Sequence, residues 1–212
     1  MHPNPAFRGT EIEHNLEFAK ERGFGSLSIS DPDGPPLMSH VPFLIADDGK
    51  TVDLHLVRSN PMARAVRGAT PARLAVTGPD SYVSPDWYGV QDQVPTWNYV
   101  AVHLVGDLHP LPTEDLPNVL DRLSAHFETH LEPKKPWTRD KMSGDSFERM
   151  LRMIVPFRMT VQDVQGTWKL GQNKPAAVRQ SAAAQMAAYG IGSESRELAA
   201  LMQSPFADPE TE

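Results

Sequence analysis

Cysteine is absent from this 212-residue chain. That excludes disulfide frameworks, thiolate zinc sites, Fe–S clusters and cysteine nucleophiles together, and it fits a reducing compartment. A surplus of positive charge is also missing. Twenty Lys and Arg stand against 27 Asp and Glu, a formal charge of −7, whereas general nucleic-acid binding needs a basic face. No apolar run approaches the ~18 residues of a membrane span. The first twenty residues carry Glu11, Glu13 and Glu17 and lack the apolar core of a signal peptide. Neither a Walker loop nor a G-x-G-x-x-G segment occurs, which argues against P-loop and Rossmann sites. The expectation is a soluble, cytoplasmic protein with no membrane partner.

Proline, by contrast, is abundant. The chain has 20, nearly twice the usual ~5%, and they are scattered as turns and strand stops. Ile12, Leu16 and Ala19 recur at helical spacing after Thr10 and before Gly23, which predicts a helix over Glu11–Arg22. Alternation then predicts strands over Phe24–Ser30, Leu37–Ala46 and Thr51–Val57, separated by Asp31-Pro32-Asp33-Gly34 and Asp47-Asp48-Gly49-Lys50. Loops this short predict an antiparallel meander. Asn60-Pro61 reads as a cap and first residue of a short helix. Further strands are expected over Arg73–Thr77, Ser81–Val83 and Trp97–Asp107, with one strand or a pair over Phe157–Leu170. Helices are expected over Leu116–Leu131, Asp145–Ile154, Pro175–Tyr189 and Ser195–Met202. Six or seven antiparallel strands with peripheral helices make an α+β, mainly β, protein and suggest a small barrel. The whole of 1–212 reads as one domain with a helical C-terminal extension from about 175 to 212.

Four clusters hold side chains with chemistry. Ser39-His40-Val41-Pro42-Phe43 lies on the second strand, where His40 suits either acid–base work or a backbone hydrogen bond. His55-Leu56-Val57-Arg58-Ser59-Asn60-Pro61, followed by Arg64, gathers a guanidinium, a hydroxyl and an amide at a strand end, a donor set that suits an anion. Two of the four Trp and three of the four Tyr fall between Tyr82 and Tyr99, which suits a planar ligand, a dimer seam or a core. Lys169-Leu170-Gly171-Gln172-Asn173-Lys174-Pro175 is basic and again precedes a helix. His126 and His130 stand four apart, but without the H-E-x-x-H pattern or an evident third ligand no metal is expected.

These segments, in this order, resemble the PaiB-like FMN-binding negative transcriptional regulators. The most specific are Ser81-Tyr82-Val83-Ser84-Pro85-Asp86-Trp87-Tyr88 with Val94-Pro95-Thr96-Trp97-Asn98-Tyr99, and Lys169 to Lys174, in which Gly171 stands where serine is expected. The resemblance implies an antiparallel split β-barrel of the FMN-binding type, working as a homodimer with flavin at the subunit interface. It implies that Arg58, Ser59, Asn60 and Arg64 meet the flavin phosphate, that Ser39, His40, Val41 and Pro42 run along the ring or ribityl chain, and that Trp97 and Asn98 close the site. Lys169, Gln172 and Asn173 are further cofactor candidates. The family label implies DNA as a partner, although no helix-turn-helix stands out. The alternatives are an FMN-dependent oxidoreductase, with His40 as the first candidate for catalysis, a haem-binding or haem-degrading split barrel, and a dimeric scaffold that binds neither.

Overall fold

The structure, a computed structural model, describes residues 1–205; the last seven positions of the expected helical extension lie outside them. Six antiparallel strands close a barrel: β1 (Phe24–Ile29), β2 (Leu37–Ile45), β3 (Thr51–Val57), β4 (Thr70–Val83), β5 (Thr96–Pro110) and β6 (Ile154–Lys169). Their order around the barrel is β1-β2-β3-β6-β5-β4, with β4 returning to β1. The first three strands form the expected meander, Phe24 pairing with Pro42 and Phe43 with Leu54. Strand alternation fixes which side chains face in. On β2, Ser39, Val41, Phe43 and Ile45 are buried, while Met38, His40, Pro42 and Leu44 face the other way. Leu27, Phe43, Leu54, Leu74, Leu104 and Phe157 are among the buried core side chains, each contributing about 1.5–3 kcal/mol by leaving water.

Among the described residues, six α-helices accompany the barrel: α1 (Ile12–Arg22), α2 (Pro61–Ala65), α3 (Leu116–Thr129), α4 (Gly144–Leu151), α5 (Ala176–Tyr189) and α6 (Ser195–Gln203). The expected strand break at Gly78-Pro79 does not occur. Strand β4 runs through both residues, and beyond the proline, which has no N–H, Asp80 and Tyr82 donate to the Ser193 and Ile191 carbonyls. Likewise β6 is one sixteen-residue strand where a pair was possible. Gly106 on β5 is required by close approach, because a Cβ there would lie 1.9 Å from the Thr160 carbonyl oxygen on β6.

The chain forms two compact units. The first comprises residues 1–15, 77–103 and 165–212. In it α5 packs on α6 and on the turn Pro85–Tyr88, with Ala182, Ala183, Met186, Leu198 and Met202 buried. Trp168 donates to the Asn15 side chain at 2.8 Å, and Asn15 in turn donates to the Thr10 and Glu11 carbonyls. The second comprises residues 16–76 and 104–164 and holds β1, β2, β3, α2, α3 and α4. There α3 lies against β2 and β3, burying Leu116, Val119 and Leu123.

Candidate functional site

The expected cofactor residues divide between the two units. In the second unit, β3 ends at Val57 and α2 begins at Pro61, so Arg58, Ser59 and Asn60 form the connection. Asn60 caps α2 through its Oδ1, which accepts from the Met62 N–H at 2.9 Å, while its Nδ2 donates to the Ser39 hydroxyl at 2.8 Å. Two expected site residues from separate elements therefore meet, and both are partly occupied in holding the chain. Arg58 donates from Nε to the Arg152 carbonyl at 2.9 Å and from one terminal nitrogen to the Ile154 carbonyl at 3.2 Å. Ser59 and Arg64 are exposed.

The sequence that follows this connection is basic, as the closeness of Arg64, Arg67 and Arg73 suggests. Residues 54–79 contain no Asp or Glu but four arginines, Arg58, Arg64, Arg67 and Arg73, all exposed. Within a chain of net charge −7, this is a locally basic segment, and cationic side chains left exposed are the donors an anion requires. The donor set fits a flavin phosphate.

In the same unit, part of the outer face of β1 and β2 is exposed. On β1, Phe24, Ser26 and Ser28 point outward; on β2, Met38, His40 and Pro42 do the same. Phe24 and Met38 are 55% and 63% exposed, high for large apolar side chains. His40 is exposed and its Nδ1 lies 2.9 Å from the Ser26 hydroxyl across the β1–β2 register, which orients the ring. Val41 points into the core, leaving only its backbone to the outer face.

Farther along β3, Asp53 is buried between two guanidiniums. Arg158 donates to it at 2.6 and 2.9 Å, and Arg122 pairs with its Oδ2. Burial alone would raise its pKa, but the hydrogen bonds from Arg158 and then Arg122 together outweigh it and hold the carboxyl below the usual range. This is a structural ion cluster, and sequence reading passed it over because its partners lie 69 and 105 residues away.

In the first unit, Asn98, Lys169 and Asn173 line one polar cavity of about 320 Å³, together with Tyr88, Gln93 and Lys174, which the sequence had not singled out for cofactor binding. Its cations are engaged. Lys169 donates to the Thr96 hydroxyl at 2.5 Å and the Trp97 carbonyl at 2.7 Å; burial, then the charge of Lys174, pushes its ammonium below the usual lysine range. Lys174 bonds the Gln93 side chain and sits 4.4 Å from the Tyr88 ring centre. Burial pushes the Tyr88 phenol upward. Gln172 is buried, accepting from the Leu170 N–H at 2.8 Å and donating to the Trp168 carbonyl at 2.6 Å. Asn98 is buried and donates to the Met202 sulfur at 3.4 Å. Trp97 is 47% exposed, edge-on to Tyr82. Gly171, where serine was expected, has φ +80°, and this left-handed backbone explains glycine better than any lost hydroxyl contact.

The paired histidines are turned to backbone. His126 Nε2 lies 3.3 Å from the Lys20 carbonyl and His130 Nδ1 2.9 Å from the His126 carbonyl. Among the described residues no group of three or more His, Asp or Glu is placed to hold a metal, and no helix is long and apolar enough to cross a membrane.

The closed six-stranded antiparallel barrel with its peripheral helices has the architecture of the split barrels. The family described as "Putative FMN-binding domain" matches residues 1–163. Its curated relatives include the protease synthase and sporulation protein PAI 2 of Bacillus subtilis, 32% identical over 170 residues, which cover 79% of this chain and 80% of that protein. An uncharacterized Saccharomyces cerevisiae protein is 32% identical over 118 residues, 52% of this chain and 69% of that one. The chain therefore belongs to the PaiB-like FMN-binding family, and FMN is the cofactor that goes with that membership. The same fold is found in the FAD and heme binding protein from Mycobacterium smegmatis, with a TM-score of 0.56 at 17% identity, covering 88% of this chain and 82% of that one. A conserved hypothetical protein from Mycobacterium tuberculosis gives 0.53 at 14% identity, covering 80% and 92%.

Proposed function

We propose that this chain is an FMN-binding homodimer that acts as a negative regulator of transcription. In this reading the flavin phosphate lies on the connection carrying Arg58, Ser59 and Arg64, and the ring lies over the outer face of β1 and β2. The observation that carries it is the acid-free run of residues 54–79 with its four exposed arginines. Arginine and hydroxyl donors suit a dianionic phosphate. The exposed Phe24 and Met38 offer apolar surface to a flat ring and to a second subunit. His40, oriented by Ser26, presents its free edge on the same face.

FMN supplies one- and two-electron redox chemistry when bound. The chain's own residues would bind the phosphate, shield one ring face and set the exposed His40 imidazole on the ring's side of the sheet. That last feature favours a second reading, an FMN-dependent oxidoreductase without direct DNA binding. The two separate cleanly. The regulator reading expects a salt-sensitive shift of pooled genomic fragments, weakened when Arg67 and Arg73 are replaced by Ala. The oxidoreductase reading expects flavin reduction by a nicotinamide donor, and turnover lost in His40→Ala with flavin affinity kept.

The experiment that tests the shared core is the absorbance spectrum of purified protein after FMN addition and desalting, with light scattering alongside. Retained bands near about 450 nm, the flavin's own chromophore, in a particle of twice the chain mass support it. A folded monomer without flavin overturns it, and a Soret band in place of flavin bands moves the protein to the haem-binding alternative.

A further inference from the structure

Two residues beyond Asp53 on the outward face of β3, His55 has different surroundings. Its Nδ1 is buried and has no hydrogen-bond partner among the described residues. A buried polar atom left unpaired is costly to folding, so this nitrogen marks a place where another molecule can supply the bond. Burial lowers the imidazole's proton affinity, favouring the neutral ring.

His55 lines a cavity of about 360 Å³ in the second unit, at the small end of the ~300–1,000 Å³ of ligand pockets. One wall is β3 and the start of β6; the other is α3, α4 and the chain between them. That chain is fastened. The Glu128 carboxylate accepts from the Trp137 N–H at 2.7 Å and pairs with Lys134. Arg139 bridges Asp121 at 3.3 Å and the Phe147 ring, whose centre is 5.8 Å away. The lining is mostly apolar, with Trp137, Phe147 and three methionines, Met142, Met150 and Met153. Thioethers adapt to ring edges and are used at surfaces that accept varied apolar ligands. The one charge pair at the wall, Asp121 with Arg139, is internally neutral.

We propose that this cavity is a binding site for a neutral aromatic small molecule carrying one hydrogen-bonding group, which pairs with His55 while the rings lie among the methionines. The site rests on other observations than the flavin reading, although Val57 and Ile154 of its lining adjoin Arg58. Its polar anchor is on β3 beneath α3 and α4, whereas the face proposed for the flavin ring lies on β1 and β2.

The test uses N-phenyl-1-naphthylamine, a neutral two-ring fluorophore with a single N–H, titrated into the full-length protein with and without saturating FMN. Saturable binding of one probe per chain is expected, unchanged by FMN. Ser124→Trp, which fills the cavity from α3, should weaken the probe at least tenfold, and His55→Leu by about tenfold, the effect of one lost hydrogen bond in a dry site. FMN affinity should stay as in the parent. Met150→Trp fills the cavity from an exposed position on α4 and stands in if thermal melting shows that Ser124→Trp has not folded. Absence of saturable binding, or equal binding by the parent and the filled variants, overturns the proposal. Displacement of the probe by FMN overturns it too, because the cavity is then part of the flavin site. These outcomes are read from the probe, so they stand apart from the fate of the flavin reading.

Discussion

Two stretches of this chain have the same outline. Each leaves a long strand, carries cations and amides through a short connection, and enters a helix behind a proline: Arg58-Ser59-Asn60-Pro61 before α2, and Lys169 to Lys174 with Pro175 before α5. Their side chains are used differently. In the second stretch nearly every polar group is turned back on the protein, Lys169 onto Thr96 and Trp97, Gln172 onto Trp168 and Leu170, Lys174 onto Gln93 and Tyr88. In the first, Asn60 and one edge of Arg58 are engaged, while Ser59 and Arg64 stand exposed amid further arginines and no acid. The same residue types can close a loop or receive a ligand, and the deciding quantity is how many donors the protein has already spent on itself.

The largest effect expected from this contrast is on flavin affinity. Arg58→Ala combined with Arg64→Ala should weaken FMN about 100-fold in a fluorescence-quenching titration, two charged hydrogen bonds being lost. Lys169→Met combined with Lys174→Met should leave that affinity within about threefold and lower the melting temperature instead.

Asp53 provides a control within the first region. Asp53→Asn should cost about 2 kcal/mol at pH 7 in urea unfolding, less than a fully buried pair because both arginines keep some water. Its folded carboxyl is held below the unfolded value of ~3.9, so its contribution is complete above that value and is lost as pH falls through the folded one. The parent should therefore lose stability more steeply than Asp53→Asn below about pH 4. FMN affinity should not rise, since Asp53 is already committed to Arg158 and Arg122.

Gln172→Ala should cost about 1.5 kcal/mol, from a buried carbonyl and amide left unpaired, with no change in flavin binding. Gly171→Ser should cost about 1 kcal/mol, because φ +80° suits glycine and strains a side chain. A gain in FMN affinity from that serine would reverse the ranking of the two stretches.

Much of the fold could be read directly. Period-two alternation placed β1, β2 and β3 to within one residue, and helical spacing with Gly23, Asn60-Pro61 and Pro175 placed α1, α2 and α5. The misplaced break in β4 came from treating Gly78-Pro79 as a stop. A proline costs a strand nothing where its missing N–H faces no partner, and pairing context is a tertiary fact. The candidate site was legible as residue types only. Ser39 and Asn60 are 21 apart, and their hydrogen bond depends on the β2–β3 register and the turn of the chain after Val57. Asn98 and Gln172 look like ligand amides in sequence, yet both are buried in internal hydrogen bonds. His55 was visible as a member of a cluster, but its unpaired nitrogen depends on what α3 and α4 bring over β3.

The central claim, that the acid-free arginine connection rather than the lysine connection holds the flavin phosphate, is tested most directly by one titration. FMN affinity is measured side by side for the parent, the Arg58/Arg64 double alanine variant and the Lys169/Lys174 double methionine variant. The account predicts a loss confined to the arginine variant. Loss confined to the lysine variant, or no FMN binding by folded parent protein, would contradict it.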